Sequence, residues 1–169
     1  MPGLQLENKQ QCYETIEQSL RGLLSVTPDA PNSLPWESAL VSLIALIKEN
    51  LSATSWVGFY RNDAGHLWVG PYQGKLACLH LKPGQGVCGA SLQSRASIVV
   101  KDVHEFEGHV YCDPLARSEI VVPVYRNGAL VGVLDLDSHA PGTFDAVDQN
   151  HLERLVKAIE TLPDRVILK

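Results

Sequence analysis

The spacing of apolar residues changes twice along this chain, and that change limits the folds open to it. Over residues 10–24, Ile16, Leu20, Leu23 and Leu24 recur every three or four positions, which predicts an amphipathic helix. Pro28 and Pro31 end that pattern. A second helix is predicted from Ser33 to about Leu51, with Pro35 near its first turn and Leu40, Leu43, Ile44 and Ile47 on one face. The spacing then shortens to two. Segments 55–60, 67–72 and 76–81 alternate or run apolar between Asp63-Ala64-Gly65 and Gln73-Gly74, as the strands of a meander do. Pro83-Gly84-Gln85-Gly86 leads into a short helix from about Val87 to Ser94, followed by a strand at 97–100 and a long loop at 101–115. Segments 119–125 and 129–137 flank Asn127-Gly128 as a hairpin, and 144–161 closes the chain as a helix with Leu152, Leu155, Val156 and Ile159 inward. Helices at both ends of a mostly antiparallel sheet predict an α+β domain with those helices on one face. The short helix and loops then roof the other face around a ligand cavity.

At 169 residues and 45% hydrophobic content, the chain matches one domain, 1–169, with a core that needs no metal or disulfide staples. A net charge of -5 and no Lys/Arg run longer than a pair argue against nucleic acid as a partner. The longest apolar stretch, 39–47, is too short to cross a bilayer, and Met1-Pro2-Gly3-Leu4-Gln5 does not open a signal-peptide core. A cytoplasmic protein without a membrane partner is expected. Its four cysteines, Cys12, Cys78, Cys88 and Cys112, then read as core residues, metal ligands or reactive thiols.

In the strand around Trp56, the two-residue period sets Trp56, Gly58 and Tyr60 on one face, and the bare Gly58 leaves a gap for a methyl or thioether between two rings. Ordinary core packing is the alternative. Parity in the predicted strand 76–81 puts Cys78 and His80 on one face, from which Cys78 can look into the cavity. Cys88 begins the short helix, where exposed N–H groups and the helix dipole favour a thiolate. Cys112 lies in the long loop, within Gly108-His109-Val110-Tyr111-Cys112-Asp113, and Cys12 reads as an inert helix thiol. A structural zinc site would want a close pair of cysteines, which is absent, so no metal is expected. Three separated thiols around one cavity suit a nucleophile and resolving partners better.

The hairpin adds three acids, Glu119, Asp135 and Asp137. A two-residue turn at Asn127-Gly128 would set Glu119 opposite Leu136 and turn it away from the aspartates. A three-residue loop, Arg126-Asn127-Gly128, sets Glu119 opposite Asp135, Ile120 opposite Leu134 and Val121 opposite Val133, and that register is the one predicted. Converging carboxylates in a cavity cannot all ionise, so at least one keeps its proton near neutral pH and can donate it to an oxygen gaining charge. Their negative charge can also hold an ammonium group.

The segments Trp56-Val57-Gly58-Phe59-Tyr60, Gly84-Gln85-Gly86-Val87-Cys88-Gly89, Gly108-His109-Val110-Tyr111-Cys112-Asp113, Ser118-Glu119-Ile120-Val121-Val122-Pro123 and Leu134-Asp135-Leu136-Asp137-Ser138 resemble the free methionine-(R)-sulfoxide reductases, single GAF-type domains. Glu107 departs from the proline more usual there. The resemblance implies a GAF-like fold and reduction of free methionine-(R)-sulfoxide, with Cys112 as nucleophile and Cys78 or Cys88 as resolving thiol. It implies that Trp56, Tyr60, Glu119, Asp135 and Asp137 line the substrate site, with Glu119 or an aspartate as proton donor. A sulfenic acid, then an intramolecular disulfide recycled by thioredoxin or another thiol, would follow without metal or organic cofactor. A homodimer is also implied. The rival readings are a GAF domain that binds a small molecule without turnover, and a peroxide-responsive thiol switch.

Overall fold

The computed structural model describes residues 2–25 and 34–164. Its elements follow the change of period. Helix α1 (Pro2–Ser25) starts earlier than its apolar spacing suggests and buries Tyr13, Ile16 and Leu20. Helix α2 (Trp36–Asn50) begins directly after Pro35, whose missing N–H costs nothing at a helix start, and buries Leu40, Leu43, Ile44 and Ile47 as expected. Pro28 and Pro31 lie outside the described residues.

Six strands form one sheet in the order β3-β2-β1-β6-β5-β4, with every neighbouring pair antiparallel. They are β1 (Trp56–Asp63), β2 (His66–Gln73), β3 (His80–Leu81), β4 (Ile98–Val100), β5 (Ser118–Arg126) and β6 (Ala129–Ser138). The predicted strand over 76–81 is thus reduced to its last two residues, and 74–79 is an irregular loop. Between β3 and β4 lies helix α3 (Gly86–Ser94), and between β4 and β5 a single 3-10 turn (Val103–Glu105) interrupts the long loop.

Alternation along the strands sorts the apolar residues into two layers. Val57, Phe59, Ile120, Val122, Val124, Leu134 and Leu136 meet α1, α2 and the last helix, α4 (Ala146–Ile159). Trp56, Tyr60, Val121 and Val133 face the other way and meet Val87, Cys88 and Leu92 of α3 and Val103 of the loop. Helix α4 is held at its start by Asp145, whose Oδ1 accepts from the Val147 amide at 2.7 Å while Asp148 accepts from the Asp145 amide at 2.8 Å. Asp148 also accepts from Lys9 Nζ at 2.6 Å and Tyr13 Oη at 2.9 Å, which fastens α1 across α4. Among the described residues no helix is long and apolar enough to cross a membrane.

The hairpin register differs from the prediction in an instructive way. Arg126 pairs with Ala129 and Tyr125 with Leu130, so Asn127-Gly128 is a two-residue turn, both residues at positive φ (48° and 82°). A bulge follows at once: Val124 pairs with Gly132, and Val131 has no opposite residue on β5. That extra residue reverses the parity a two-residue turn would impose. Glu119 comes to lie opposite Asp137, Val121 opposite Asp135 and Ile120 opposite Leu136. The predicted three-residue loop and the Glu119–Asp135 pairing are therefore wrong, yet Glu119, Asp135 and Asp137 still share a face, because loop and bulge each add one residue.

Candidate active site

The face opposite the helices holds a cavity lined by Trp56, Tyr60, Glu119, Asp135 and Asp137 from the sheet, by Cys88 from α3, and by the 74–79 and 108–116 loops. Of the side chains singled out as site residues, all but Cys78 line this one hollow, and Cys78 is bonded to Cys112, which does. Cys78 and Cys112, 34 positions apart, are joined in a disulfide with Cα atoms 5.3 Å apart. The loop holding Cys112 is pinned by Asp113, whose carboxylate accepts from His139 Nε2 at 2.7 Å and from the Leu115 amide at 3.0 Å. The loop holding Cys78 is pinned by the aromatics of β1: Trp56 Nε1 donates to the Lys75 carbonyl at 3.2 Å, and the Tyr60 hydroxyl donates to the Cys78 carbonyl at 3.0 Å. Strand β1 thus sets the position of one disulfide sulfur.

The gap expected at Gly58 is occupied. A Cβ there would stand 2.3 Å from the Trp56 ring and 2.5 Å from Tyr72 Cβ, so the bare glycine is where the Trp56 ring lies. That ring stacks between Tyr60 (centroids 5.9 Å) and Tyr72 (5.4 Å), and it presents an aromatic wall to the cavity in place of a slot. His80, expected beside Cys78, faces elsewhere. It stacks on Trp68 at 4.3 Å and lies 2.8 Å from His66 Nδ1, because 74–79 is not a strand and parity does not carry across it.

Two of the three acids are buried, Glu119 at 5% and Asp135 at 6% exposure, and Asp137 is half-buried at the cavity wall. Burial is the main cause that pushes Glu119 and Asp137 well above the usual carboxylate range, reinforced for both by the charge of Asp135. Burial also raises Asp135, to about 7, against hydrogen bonding from Cys88 and Glu119 that pulls the other way. Asp135 is then the member that ionises, and its neighbours keep their protons. Cys88 reverses its expectation: buried beside the carboxylates, with Sγ 4.0 Å from Glu119 Oε1, its thiol is pushed up first by burial and then by the Asp135 and Glu119 charges. The helix start does not make it a thiolate, because desolvation and three acids outweigh the dipole.

Among the described residues, one group has metal-ligand chemistry: Cys88, Glu119 and Asp135, whose ligand atoms lie within 4.8 Å of one another. With the thiol and Glu119 held in their protonated forms, these groups share protons with each other, and a protonated thiol or carboxyl is a poor ligand. What the arrangement can do is place a proton donor, a negative carboxylate and a redox-active sulfur around one small molecule.

Among the lining side chains that the sequence reading did not single out, His109 carries chemistry beside the acids. His109 is buried beside Glu119, its Nδ1 3.5 Å from Oε2. Its signal was a histidine three positions before a cysteine in a loop, too short a pattern to separate it from loop packing.

A GAF-domain family model matches residues 34–161. A free methionine-R-sulfoxide reductase of Escherichia coli (strain K12) is 34% identical over 153 residues, covering 90% of this chain and 89% of the relative. One from Saccharomyces cerevisiae is 36% identical over 160 residues, covering 90% and 86%. The solved structure of the Neisseria meningitidis free methionine-R-sulfoxide reductase in complex with its substrate superposes with a TM-score of 0.78, at 35% identity, over 88% of this chain and 86% of that one. The chain belongs to the GAF-domain family, among the free methionine-R-sulfoxide reductases.

Proposed function

We propose that the protein reduces free methionine-(R)-sulfoxide to methionine, with Cys112 as nucleophile and Cys78 as resolving thiol. It is an oxidoreductase acting on sulfur groups, as its family is. The observation that carries the finer reading is the Cys78–Cys112 disulfide at the wall of an acid-lined cavity. Glu119 or Asp137, each holding a proton, protonates the sulfoxide oxygen while the Cys112 thiolate attacks sulfur. Methionine leaves, Cys112 is left as a sulfenic acid, and the Cys78 thiol condenses with it to release water and form the disulfide. The Trp56 ring packs the substrate's methyl end, and ionised Asp135 attracts its ammonium group, a charge that a peptide-bound residue lacks. No metal or organic cofactor takes part. A protein dithiol such as thioredoxin reopens the disulfide. Access supports this, since Leu76, Leu79, Tyr111 and Leu115, close in sequence to the two cysteines, expose their side chains.

The test is single-turnover release of methionine from each sulfoxide epimer by the reduced protein. Cys112→Ser is expected to release none. Cys78→Ser should release about one equivalent and then stop, with a sulfenic acid that dimedone traps. Methionine formation by Cys112→Ser at the wild-type rate would remove the nucleophile assignment.

A further inference from the structure

His109 is unusually placed for a side chain with no assigned task. Its ring is 6% exposed, it lines the cavity, and neither ring nitrogen has a hydrogen-bond partner among the described residues. Buried polar nitrogens are nearly always paired, so an orphaned imidazole at a site wall asks for an explanation. Its only close aromatic neighbour is Tyr111, met edge-on at 4.6 Å among the described residues, and a phenyl ring would satisfy that contact equally well. The nitrogen that stands nearest a protein acid is Nδ1, 3.5 Å from Glu119 Oε2. Three residues further along the same loop is Cys112, held in the disulfide. At 3.5 Å, a shift of a few tenths of an ångström brings the pair to hydrogen-bonding distance.

We propose that His109 is the proton partner of Glu119: the imidazole and the carboxyl share one proton, and His109 returns to Glu119 the proton that Glu119 gives to the substrate oxygen. This deepens the reductase reading and rests on it for the chemical step. That step balances without any further reactant. The Cys112 thiol proton passes to the imidazole, the thiolate attacks the sulfoxide sulfur, and the oxygen then passes to Cys112 as the substrate S–O bond breaks and the Cys112 S–O bond forms, two electrons moving from Cys112 sulfur to substrate sulfur. Glu119 supplies the proton that ends on the sulfenic oxygen, and His109 hands the thiol proton on to Glu119. Both groups finish as they began. Burial keeps His109 neutral, with the charge of His104 adding to the effect, as a proton acceptor must be. The other titratable groups around the pair are Tyr60 on β1, Asp135 and Asp137 on β6, Cys88 on α3, and Lys75, Cys112 and Asp113 at the loops.

The experiment compares reduced wild-type protein with His109→Phe, which keeps the ring packing, and His109→Asn, whose amide replaces Nδ1. Two readouts are taken against pH: single-turnover methionine release from free methionine-(R)-sulfoxide, and the infrared carbonyl band of protonated Glu119, assigned with Glu119→Gln. His109→Phe is expected to slow turnover about tenfold or more and to move the pH at which the band vanishes, and His109→Asn, which can hydrogen-bond Glu119 but cannot take up a proton, to restore the band while turnover stays slow. If turnover proceeds in wild type and His109→Phe changes neither rate nor band, the proton pair is overturned and the reductase reading stands. If wild type releases no methionine from either epimer while His109→Phe still moves the band, the reductase reading falls and the shared proton stands.

Discussion

Asp135 shows how a single buried acid links the site to stability. Its folded value of about 7 lies above the roughly 3.9 of an unfolded aspartate, so the native protein binds this proton more tightly than the unfolded chain does. The stabilisation is complete below about pH 4, declines as pH rises through about 7, and is absent at higher pH. Glu119 and Asp137, raised in the same direction, extend the decline further into the alkaline range. Asp135→Asn removes the ionisation while keeping the shape. Its melting temperature at pH 8 should exceed that of wild type by roughly 4–8 °C, the shift about 2 kcal/mol makes at this chain length, with little difference at about pH 4. Differential scanning calorimetry at the two pH values decides it, and an Asn variant less stable at pH 8 would contradict the assignment of strain to that carboxylate.

Between residue and fold stands the β5–β6 hairpin, where one bulge decides which side chains meet. Val131 of β6 has no partner on β5, and directly after it Gly132 lies so close to β1 that a Cβ would fall 2.1 Å from the Tyr60 carbonyl oxygen and 2.6 Å from the Phe59 ring. Backbone on one side and a buried ring on the other leave nowhere for a methyl group to go. Gly132→Ala should therefore destabilise by about 2–3 kcal/mol, read as a lower urea midpoint at unchanged slope. A midpoint equal to wild type would mean that β1 and β6 can separate there at no cost. The same element explains why prediction of the hairpin succeeded on its faces and failed on its pairs. Parity survives any even change in register, whereas the choice between a three-residue loop and a turn plus bulge depends on how β6 fits against β1, a contact of residues more than seventy positions apart in the chain.

At the scale of the molecule, one sheet separates a layer of stability from a layer of chemistry. The helix side is a continuous apolar core, while the cavity side is roofed by α3 and two loops joined through Cys78–Cys112. Closing a loop of 34 positions restricts the unfolded chain by about 4 kcal/mol in the chain-entropy view. Reduction should lower the melting temperature by roughly 8–15 °C while leaving the far-ultraviolet circular dichroism unchanged at 25 °C, since the helix-side core does not involve either cysteine. A melt indifferent to reduction, with free thiols verified, would show that the roof is already ordered without the bond.

Periodicity alone determined the helices, the antiparallel strands and which residues share a face within a strand, Trp56 with Tyr60 and Asp135 with Asp137, because each of these follows from spacing within a short stretch of chain, whereas the gathering of these side chains with Glu119 at one site was implied only by the family resemblance. Only the tertiary structure decided that Cys78 and not Cys88 bonds to Cys112, that the Trp56 ring fills the space over Gly58, and that Cys88 keeps its proton. The reason is physical. Which sulfurs meet, which gap is filled and how strongly a group is desolvated depend on distances between segments remote in the chain, and those distances exist only once the layers have packed.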